Sequence, residues 1–417
     1  MPTPNSQDIT ILGETTFRND HKIFGIKQAD RRYHMHILGK TGMGKTTLLE
    51  NMLVSDIENS RGCALIDPHG DLAESLLDRI PKRRTNDVIY FNPADTQYPI
   101  AMNILEKVPR DQRALVAASV LSIFKKLYSE FWGSRMEYVF RNTLLTATQL
   151  ERANLRTVVD LLTNLNFRKA IIPKLTDKAL IKFWQKEFAT FDKRQRTEVI
   201  FPIINKVGQF LTNPFISPII DTYKNKFDFR RVIDKNHILI ANLSKGKIGE
   251  DAMMLLGAIF ITKIQLAALS RSDLPEKDRI DFHLYIDECQ NFLSENFANL
   301  FAEMRKYRLN LILANQHFGQ LDGSIQQSIL GNIGSLICFR LGINDAELMQ
   351  KEFYPYVKSK NLIELPKYHV FLKLMIDGVT SRAFSAKTLR WEDKLYLQKI
   401  KITKVSQARY SCNGMFI

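Results

Sequence analysis

The stretch GKTGMGKT, residues Gly39–Thr46, decides the fold of this chain. It fits the pattern G-x-x-x-x-G-K-[ST]. A short apolar run that contains Ile37 and Leu38 precedes it, and apolar residues at helical spacing, beginning with Leu48, follow it. The sequence therefore predicts a strand, a glycine-rich loop and a helix in direct succession.

The residue types of this loop match the chemistry of a phosphate site. Its glycines let backbone N–H groups close around phosphate oxygens, and the start of the helix adds a favourable dipole. Lys45 is expected to reach the β and γ phosphates of ATP, and the Thr46 hydroxyl is expected to bind Mg²⁺. A plain glycine-rich turn would leave these two adjacent residues unexplained. The predicted nucleotide-binding residues are Gly39, Lys40, Thr41, Gly42, Met43, Gly44, Lys45, Thr46 and Thr47.

A second apolar run, Phe282–Ile286, ends in the carboxylates Asp287 and Glu288. We expect Asp287 to hold Mg²⁺ through water and Glu288 to act as the general base that polarises the attacking water. Taken alone, such a pair is more often a solvated strand end or a helix cap, so this interpretation depends on the upstream loop. The adjacent glutamate favours hydrolysis over transfer of phosphate to a small molecule, because kinase-like P-loop proteins often lack it.

Further polar residues follow other predicted strands. Gln316 comes after the run Leu309–Ala314, and it would lie beside the γ phosphate if the strands are neighbours, although a polar strand end fits equally well. Arg305, Arg308 and Arg340 flank predicted strands, and any of them could act as an arginine finger toward a neighbouring subunit's nucleotide. A surface salt bridge is the more common fate of a single arginine.

The segment Asp67–Asp71, with sequence DPHGD, closes another predicted strand. In a parallel sheet this position lies near the nucleotide and Mg²⁺. One histidine and two aspartates in a turn are too few ligands for a metal site by themselves, and a simple turn that contains proline and glycine fits equally well.

The pattern of apolar runs indicates an α/β protein, with a mostly parallel sheet covered on both faces. The predicted strands are Ala64–Ile66, Val88–Phe91, Ile238–Ala241, Phe282–Ile286, Leu309–Ala314, Leu336–Phe339 and Val370–Met375, with a hairpin turn at Asp377-Gly378. Between about residues 103 and 235 the spacing becomes helical. We therefore predict a RecA-like P-loop NTPase core made of residues 1–102 and 236–417, with an inserted all-α domain at 103–235.

The charge balance is strongly basic, since 59 lysines and arginines exceed 44 aspartates and glutamates and give a net charge of +15. Such an excess commonly accompanies polyanionic partners, although a merely basic enzyme is equally compatible. The cysteines Cys63, Cys289, Cys338 and Cys412 are widely spaced without a CxxC pair, which suits reduced thiols in the cytosol.

No membrane-directing segment is expected in this sequence. Met1–Thr10 lacks a basic region followed by an apolar run, so its pattern does not predict a signal peptide or an N-terminal anchor. The most apolar stretch, Ala252–Leu269, is interrupted by Lys263 and Gln265, and its uninterrupted part is shorter than the roughly 18 residues of a span. We expect a buried core helix there and no intrinsic membrane span.

Several stretches resemble the HerA/FtsK-type motors and, within them, the cytosolic ATPase part of the conjugative coupling proteins of type IV secretion. The stretches are Phe24–Ile26, Asp30-Arg31, the GKTGMGKT loop, Asp67–Leu72, Trp132–Met136, Asn242–Gly246, Gly249–Asp251, Ile286–Glu288, Arg305–Tyr307, Asn315-Gln316 and Phe339–Gly342. The resemblance implies a hexameric ring that threads DNA through a central pore and holds nucleotide between subunits. It implies catalytic roles for Lys45, Glu288 and Gln316, with Arg305 the preferred finger and Arg340 second.

In contrast to the usual pattern of that family, no N-terminal transmembrane helices are expected from this sequence. The expectation is a cytoplasmic protein, recruited to the inner face of the membrane by a membrane or relaxase partner. The leading functional hypothesis is an ATP-driven DNA translocase, because a paired ATPase motif, a basic charge and the family-like stretches agree. A nucleotide-dependent switch or assembly ATPase, a protein-export motor and a small-molecule kinase are the alternatives, with the kinase disfavoured by Asp287-Glu288.

Overall fold

The computed structural model describes residues 8–16, 21–129, 132–294, 301–389 and 394–412, so Met1–Gln7 of the N-terminal stretch lies outside the described residues. The strands are β1 Ile9–Thr15, β2 Ile23–Lys27, β3 Met35–Leu38, β4 Gly62–Asp67, β5 Val88–Phe91, β6 Ile238–Asn242, β7 Phe282–Ile286, β8 Leu309–Asn315, β9 Ser335–Cys338, β10 His369–Lys373, β11 Met375–Ile376, β12 Val379–Thr380 and β13 Phe384–Thr388.

The α-helices cover the sheet and form a separate helical region. They are α1 Gln28–Arg31, α2 Lys45–Glu58, α3 Asp71–Asp78, α4 Arg113–Leu127, α5 Ser134–Ala147, α6 Leu155–Thr163, α7 Leu165–Ile171, α8 Lys178–Lys182, α9 Lys193–Leu211, α10 Ser217–Ile220, α11 Phe229–Asp234, α12 Lys245–Ile248, α13 Glu250–Leu269, α14 Phe301–Met304, α15 Gly323–Asn332, α16 Ile343–Glu352, α17 Ser359–Ile363 and α18 Lys399–Tyr410.

The main sheet has the strand order β2-β1-β13-β10-β9-β3-β8-β7-β4-β6-β5. The run from β9 to β5 is parallel, and β10, β13, β1 and β2 extend it through antiparallel pairing. This arrangement confirms the predicted α/β class with a mostly parallel sheet. The carboxyl ends of all the parallel strands therefore meet at one edge, where ligands of such sheets bind.

Every strand predicted from an apolar run is a strand in the structure, with ends that differ by at most two residues. The parallel strands β3, β4, β5, β6, β7, β8 and β9 are buried along their whole length, as expected for a sheet covered on both faces. Asp377 and Gly378 both have positive φ angles, of 52° and 80°, and they join β11 to β12. Positive φ at both central residues is what a tight hairpin of this kind requires.

Helix α2, which directly follows the glycine-rich loop, packs its apolar residues into the core of the sheet. Its residues Leu48, Leu49, Met52 and Leu53 are fully buried in one apolar cluster with strands β3 and β4. Burial of each such side chain contributes roughly 1.5–3 kcal/mol, which anchors the start of the helix and thus the loop that precedes it.

A buried ion pair fastens α1 to α2. Arg31 and Asp56 are almost fully buried and make two hydrogen bonds of 2.6 and 2.9 Å, and the Tyr285 hydroxyl also donates to Asp56. The Arg31 guanidinium holds the pKa of the Asp56 carboxyl well below its usual range, against the effect of burial. The preceding residue, Asp30, accepts hydrogen bonds from the backbone N–H groups of Asp377 and Gly378. The family-like pair Asp30-Arg31 thus has a structural role in this chain.

The chain forms two compact units. The first consists of the described residues within 1–91, 229–244 and 267–408 and holds the sheet. The second consists of the described residues within 92–228, 245–266 and 409–417, and each regular element described there is a helix. The cuts at 91/92 and 228/229 come before the predicted boundaries at 102/103 and 235/236, and residues 245–266 and 409–412 also belong to the second unit. Helix α13 is apolar around its circumference, so its sequence does not indicate the unit with which it packs.

One helical stretch in the described residues, Glu250–Asp273, is long and apolar enough to cross a membrane, and 89% of its most apolar window is buried inside the protein. This burial agrees with the predicted core helix. Its Lys263 ammonium lies 3.7 Å from the Glu106 carboxylate, and burial lowers the pKa of Lys263 to about 8.

Candidate functional site

The glycine-rich loop lies between β3 and α2, at the carboxyl edge of the parallel strands. Gly42 and Gly44 have φ angles of 76° and 120°, a region that side chains rarely adopt. A Cβ atom at Gly44 would also lie 2.7 Å from the Tyr368 ring. Helix α2 begins directly afterwards at Lys45, so its first N–H groups are available at the loop. The local geometry is that of a phosphate cradle.

Lys45 folds back over the loop that precedes it. Its Nζ atom donates hydrogen bonds to the carbonyl oxygens of Gly39, at 2.5 Å, and Lys40, at 3.5 Å. The side chain is 6% exposed, and burial lowers the pKa of Lys45, whereas the nearby Glu288 and Asp287 carboxylates act to raise it. An ammonium group held inside the loop is positioned to meet phosphate oxygens.

Asp287 and Glu288 follow β7 and are 4% and 5% exposed. Burial raises the pKa of Asp287 to about 7, with further contributions from the Glu288 and Asp67 carboxylates, while Lys45 acts to lower it. Glu288 has a φ angle of 45°, which is uncommon for a residue with a side chain. Strained backbone of this kind clusters at functional sites.

Two side-chain amides hold the Glu288 carboxylate. Gln316 Nε2 donates to Oε1 at 2.8 Å, and Gln290 Nε2 donates to Oε2 at 2.9 Å. The contact with Gln316 follows from the strand order, because β8 lies between β3 and β7. The structure thus satisfies the condition on which the sensor role of Gln316 depended.

A cavity of about 250 Å³ brings most of the predicted site residues together. Its lining consists of Thr41, Gly42, Gly44, Lys45, Thr46, Thr47, His69, Asp287, Glu288, Gln316, Lys367 and Tyr368. The predicted residues Gly39, Lys40 and Met43 are outside this lining. The carbonyls of Gly39 and Lys40 hold Lys45, and the Met43 carbonyl accepts a 2.9 Å hydrogen bond from the backbone N–H of Tyr368.

Lys367 and Tyr368 were not expected at the site from sequence. They precede β10, which runs antiparallel to β9, so the beginning of β10 lies at the edge where the parallel strands end. Tyr368 has a φ angle of 66°, and its carbonyl accepts hydrogen bonds from both the backbone N–H and the hydroxyl of Thr388. The signal that could have located these residues is the direction of β10, which an apolar run does not reveal.

His69 belongs to the DPHGD segment, whose site and turn interpretations the sequence left open. The Asp67 carboxylate accepts hydrogen bonds of 2.9 Å from the backbone N–H groups of His69 and Ala73, so it organises the turn into α3. This turn places the exposed His69 side chain on the cavity wall. The segment therefore combines a structural aspartate with a histidine that faces the site.

The donor set suits a magnesium ion that arrives with a nucleotide. Asp287 and the exposed Thr46 hydroxyl offer hard oxygen atoms, which Mg²⁺ prefers. The pKa of Asp287 is raised because the carboxyl is buried and lies near the Glu288 and Asp67 carboxylates. A divalent cation would offset the negative charge of these groups. Within the described residues, no group of three or more His, Cys, Asp or Glu side chains could hold a metal ion. Phosphate oxygens would have to complete the coordination.

The three arginine candidates lie outside the cavity lining. Arg305 is exposed just before β8, at the opposite edge of the sheet, and its guanidinium carbon lies 3.5 Å from the centre of the Tyr33 ring. Arg340 follows β9, and its Nε atom donates a 2.6 Å hydrogen bond to the Leu365 carbonyl. The third sequence candidate, Arg308, lies 3.5 Å from the Glu276 carboxylate.

Comparison with known families gives one match over most of the chain. The family model described as "Type IV secretion-system coupling protein DNA-binding domain" matches residues 22–353. No curated protein sequence matches the chain.

Solved structures with the same fold cover nearly the whole chain. The bacterial conjugative coupling protein TrwBdeltaN70, in its unbound form, has 16% identity and a TM-score of 0.66, with 91% of this chain and 89% of that chain covered. TrwB in complex with the non-hydrolysable ATP analogue ADPNP has 16% identity and a TM-score of 0.64, with 91% and 90% covered. VirB4 of Thermoanaerobacter pseudethanolicus has 13% identity and a TM-score of 0.63, with 92% and 97% covered. At these identities the likeness establishes the fold.

Proposed function

The chain belongs to the type IV secretion-system coupling protein DNA-binding domain family, and on that premise we propose that it is an ATP-driven DNA translocase. The observation that carries the proposal is the joint placement of Lys45, Asp287, Glu288 and Gln316 on one cavity at the carboxyl edge of the sheet. These are the parts that a P-loop motor needs to bind and cleave ATP. Family membership and the net charge of +15 support DNA as the load.

ATP and Mg²⁺ are the proposed ligands of the cavity. The similar protein TrwB has been solved with the ATP analogue ADPNP, with the GTP analogue GDPNP and with ADP and Mg²⁺. In this chain, Thr46 and Asp287 would hold the ion, which supplies charge neutralisation at the phosphates. The loop N–H groups and Lys45 bind the phosphates themselves.

The proposed reaction is hydrolysis with Glu288 as the base. The oxygen of a water bonds to the γ phosphorus, its proton passes to the Glu288 carboxylate, and the bond from phosphorus to the β–γ bridging oxygen breaks. Gln316 and Gln290 orient that carboxylate through its two oxygens. Lys45 offsets the charge that develops on the phosphate oxygens.

The proposed orientation of the nucleotide across the site rests on the strand order. Glu288 and Gln316 follow β7 and β8 on one side of β3, whereas Lys367 and Tyr368 precede β10 on the other side. A nucleotide whose γ phosphate faces Glu288 therefore has its nucleoside half toward Tyr368. The Tyr368 ring and the Lys367 ammonium, 4.9 Å apart, are the proposed contacts of that half.

The proposed assembly is a ring, as expected for this family, with the nucleotide between subunits. Arg305 is exposed at the edge of the sheet opposite its own cavity, and this position supports a role on a neighbour's nucleotide instead of its own. Arg340 is the second candidate. Both side chains have a contact in their own chain, Arg305 with the Tyr33 ring and Arg340 with the Leu365 carbonyl. Recruitment to the membrane through a membrane or relaxase partner belongs to the same proposal.

A displacement assay tests translocation directly. The purified protein is incubated with ATP and a DNA that carries a bound obstacle, either a triplex-forming strand on a duplex or streptavidin on a biotinylated single strand. ATP-dependent removal of the obstacle, absent in Lys45→Ala, is the expected result. ATP hydrolysis on these DNAs without removal of either obstacle would contradict the proposed movement.

A further inference from the structure

The segment Phe353–Val357 displays two tyrosine rings on a fixed loop of the first unit. Tyr354 and Tyr356 are 76% and 52% exposed, whereas the flanking Phe353 and Val357 are 0% and 3% exposed. The backbone N–H of Phe353 donates to the Met349 carbonyl at 3.0 Å, and that of Tyr356 donates to the Phe353 carbonyl at 3.0 Å. Since both ends are buried, binding at the rings would require little additional ordering of the chain.

Positive charge surrounds these rings. Lys351, Lys358 and Lys360 lie within the ten residues 351–360, where Glu352 is the single acidic residue. Lys351 and Lys358 are exposed, and the exposed Arg382 has its guanidinium carbon 6.0 Å from the centre of the Tyr356 ring.

The far end of β10 adds another cation to the same loop. Lys373 is the last residue of β10, and its ammonium group donates a hydrogen bond to the Glu352 carbonyl, so it fixes β10 to the loop just before the rings. Cations from two segments, residues 351–360 and Arg382, therefore flank the tyrosines, and Lys373 fastens the loop that carries them.

Exposed aromatic faces bordered by cations suit one class of ligand, single-stranded nucleic acid. Bases stack on aromatic rings without regard to sequence, and lysine and arginine contact the phosphates. Tyr354 and Tyr356 are two residues apart, so their Cα atoms are separated by at most roughly 7 Å. This distance corresponds to about two steps of 3.4 Å along a DNA strand.

Resting on the proposed DNA function, we propose that Tyr354 and Tyr356 form a stacking platform for the bases of single-stranded DNA, with Lys358 and Arg382 contacting its phosphates. A subunit interface is the other use of exposed tyrosines. A second copy of this chain has the same net charge of +15, whereas DNA is a polyanion. Charge complementarity thus favours DNA as the occupant.

Equilibrium binding to fluorescein-labelled oligothymidylate and to a duplex of equal length, measured by anisotropy over a range of salt concentrations, tests this platform. The variant Tyr354→Ala/Tyr356→Ala is expected to bind oligothymidylate at least about fivefold more weakly, because each stacked base is lost. Its binding should keep the same dependence on salt, since no phosphate contact is removed. The variant Lys358→Gln/Arg382→Gln should instead weaken that salt dependence.

Matched controls separate stacking from other effects. Tyr354→Phe/Tyr356→Phe keeps both aromatic faces and should bind like the parent protein. Tyr223→Ala removes a tyrosine that is 50% exposed in the second unit and should also leave binding unchanged. ATP turnover without DNA should be equal in all of these variants, because none of the changed residues lines the nucleotide cavity.

Two results would overturn the platform while leaving the DNA motor intact. One is equal binding of oligothymidylate by the alanine variant and the parent. The other is a change in oligomeric state, measured by sedimentation velocity without DNA, that accounts for the whole loss of binding; the tyrosines would then belong to a subunit interface. If the parent protein binds neither DNA, the platform and the proposed function both fail.

Discussion

Gln316 and Glu288, 28 residues apart in sequence, are joined by a 2.8 Å hydrogen bond from the amide of Gln316 to the carboxylate of Glu288. The bond exists because β8 lies between the loop-bearing strand β3 and β7. It connects the amide that the sequence indicated as a sensor with the carboxylate that it indicated as a base. A movement of either side chain can therefore change the orientation of the other.

Substitution of Gln316 tests this connection. Gln316→Ala removes one of the two amides that orient the Glu288 carboxylate, so we expect kcat for ATP hydrolysis to fall about tenfold or more. Gln290→Ala is the matched control, because Gln290 contacts the other carboxylate oxygen but is outside the cavity lining, and its effect should be smaller. Steady-state kinetics provide the measurement. A raised KM with unchanged kcat in Gln316→Ala would mean that the side chain binds nucleotide without orienting the base.

Tyr368 provides a test of the nucleotide's orientation. Tyr368→Ala should raise KM for ATP about fivefold or more with a smaller effect on kcat, since the lost contact is to the nucleoside half and not to the reacting phosphate. Tyr368→Phe keeps the ring and is expected to behave like the parent. Equal losses in Tyr368→Ala and Tyr368→Phe would show that the hydroxyl group, and not the aromatic face, is what the site requires.

Mixed assemblies test the arginine finger. Lys45→Ala subunits cannot bind phosphate properly, and Arg305→Ala subunits lack the proposed finger, so each protein alone should be nearly inactive as an ATPase. If Arg305 acts on a neighbour's nucleotide, mixing the two proteins should restore part of the activity, because some interfaces then contain an intact Lys45 facing an intact Arg305. Absence of any recovery in assemblies that demonstrably mix would contradict a role in trans, and Arg340→Ala would be tested next in the same way.

Buried histidines predict how stability depends on pH. Burial lowers the pKa of His34 and His36 to about 4 and that of His283 to about 3. These pKa values lie below the value of about 6.5 in the unfolded chain. At pH values between the folded and unfolded pKa of each histidine, the unfolded chain therefore binds a proton that the folded chain does not. The three histidines should therefore make the free energy of unfolding largest above about pH 6.5 and lower it by up to about 1.4 kcal/mol per pH unit per histidine as the pH decreases. Asp287, whose raised pKa of about 7 acts in the opposite direction, should offset the contribution of one histidine and leave the net direction unchanged.

Urea denaturation at about pH 7.5 and about pH 5.5 measures this effect. The parent protein should have the lower midpoint at the acidic pH, and His34→Gln, which removes one of the three groups, should have a smaller difference between the two midpoints. Equal midpoints at both pH values in the parent would contradict the burial of neutral histidines.

Local pattern was sufficient to predict the parts of the site that lie on consecutive residues. The loop Gly39–Thr46 and the pair Asp287-Glu288 are each marked by a motif beside a strand, so their positions at the carboxyl edge followed from strand direction. The contact between Gln316 and Glu288 could be stated only conditionally, because strand order depends on long-range pairing that the sequence does not reveal.

Other features could not be predicted because no local signal carries them. Strand β1 has mixed burial along its length and strand β2 is mostly half-exposed, so neither forms the continuous apolar run that marked the parallel strands. Lys367 and Tyr368 reach the site only because β10 runs antiparallel to β9. The site assignments themselves remain predictions until kinetics on the variants are measured.

The steady-state ATPase rate with and without single- and double-stranded DNA, at low and moderate salt, tests the central claim most directly. We expect DNA to stimulate turnover strongly, with less stimulation at higher salt because phosphate contacts dominate binding. Lys45→Ala should abolish turnover, and Glu288→Gln should reduce it about 10²–10⁴-fold while ATP remains bound. Turnover that is equal with and without DNA would contradict a DNA translocase and indicate a nucleotide-dependent switch or a protein-export motor.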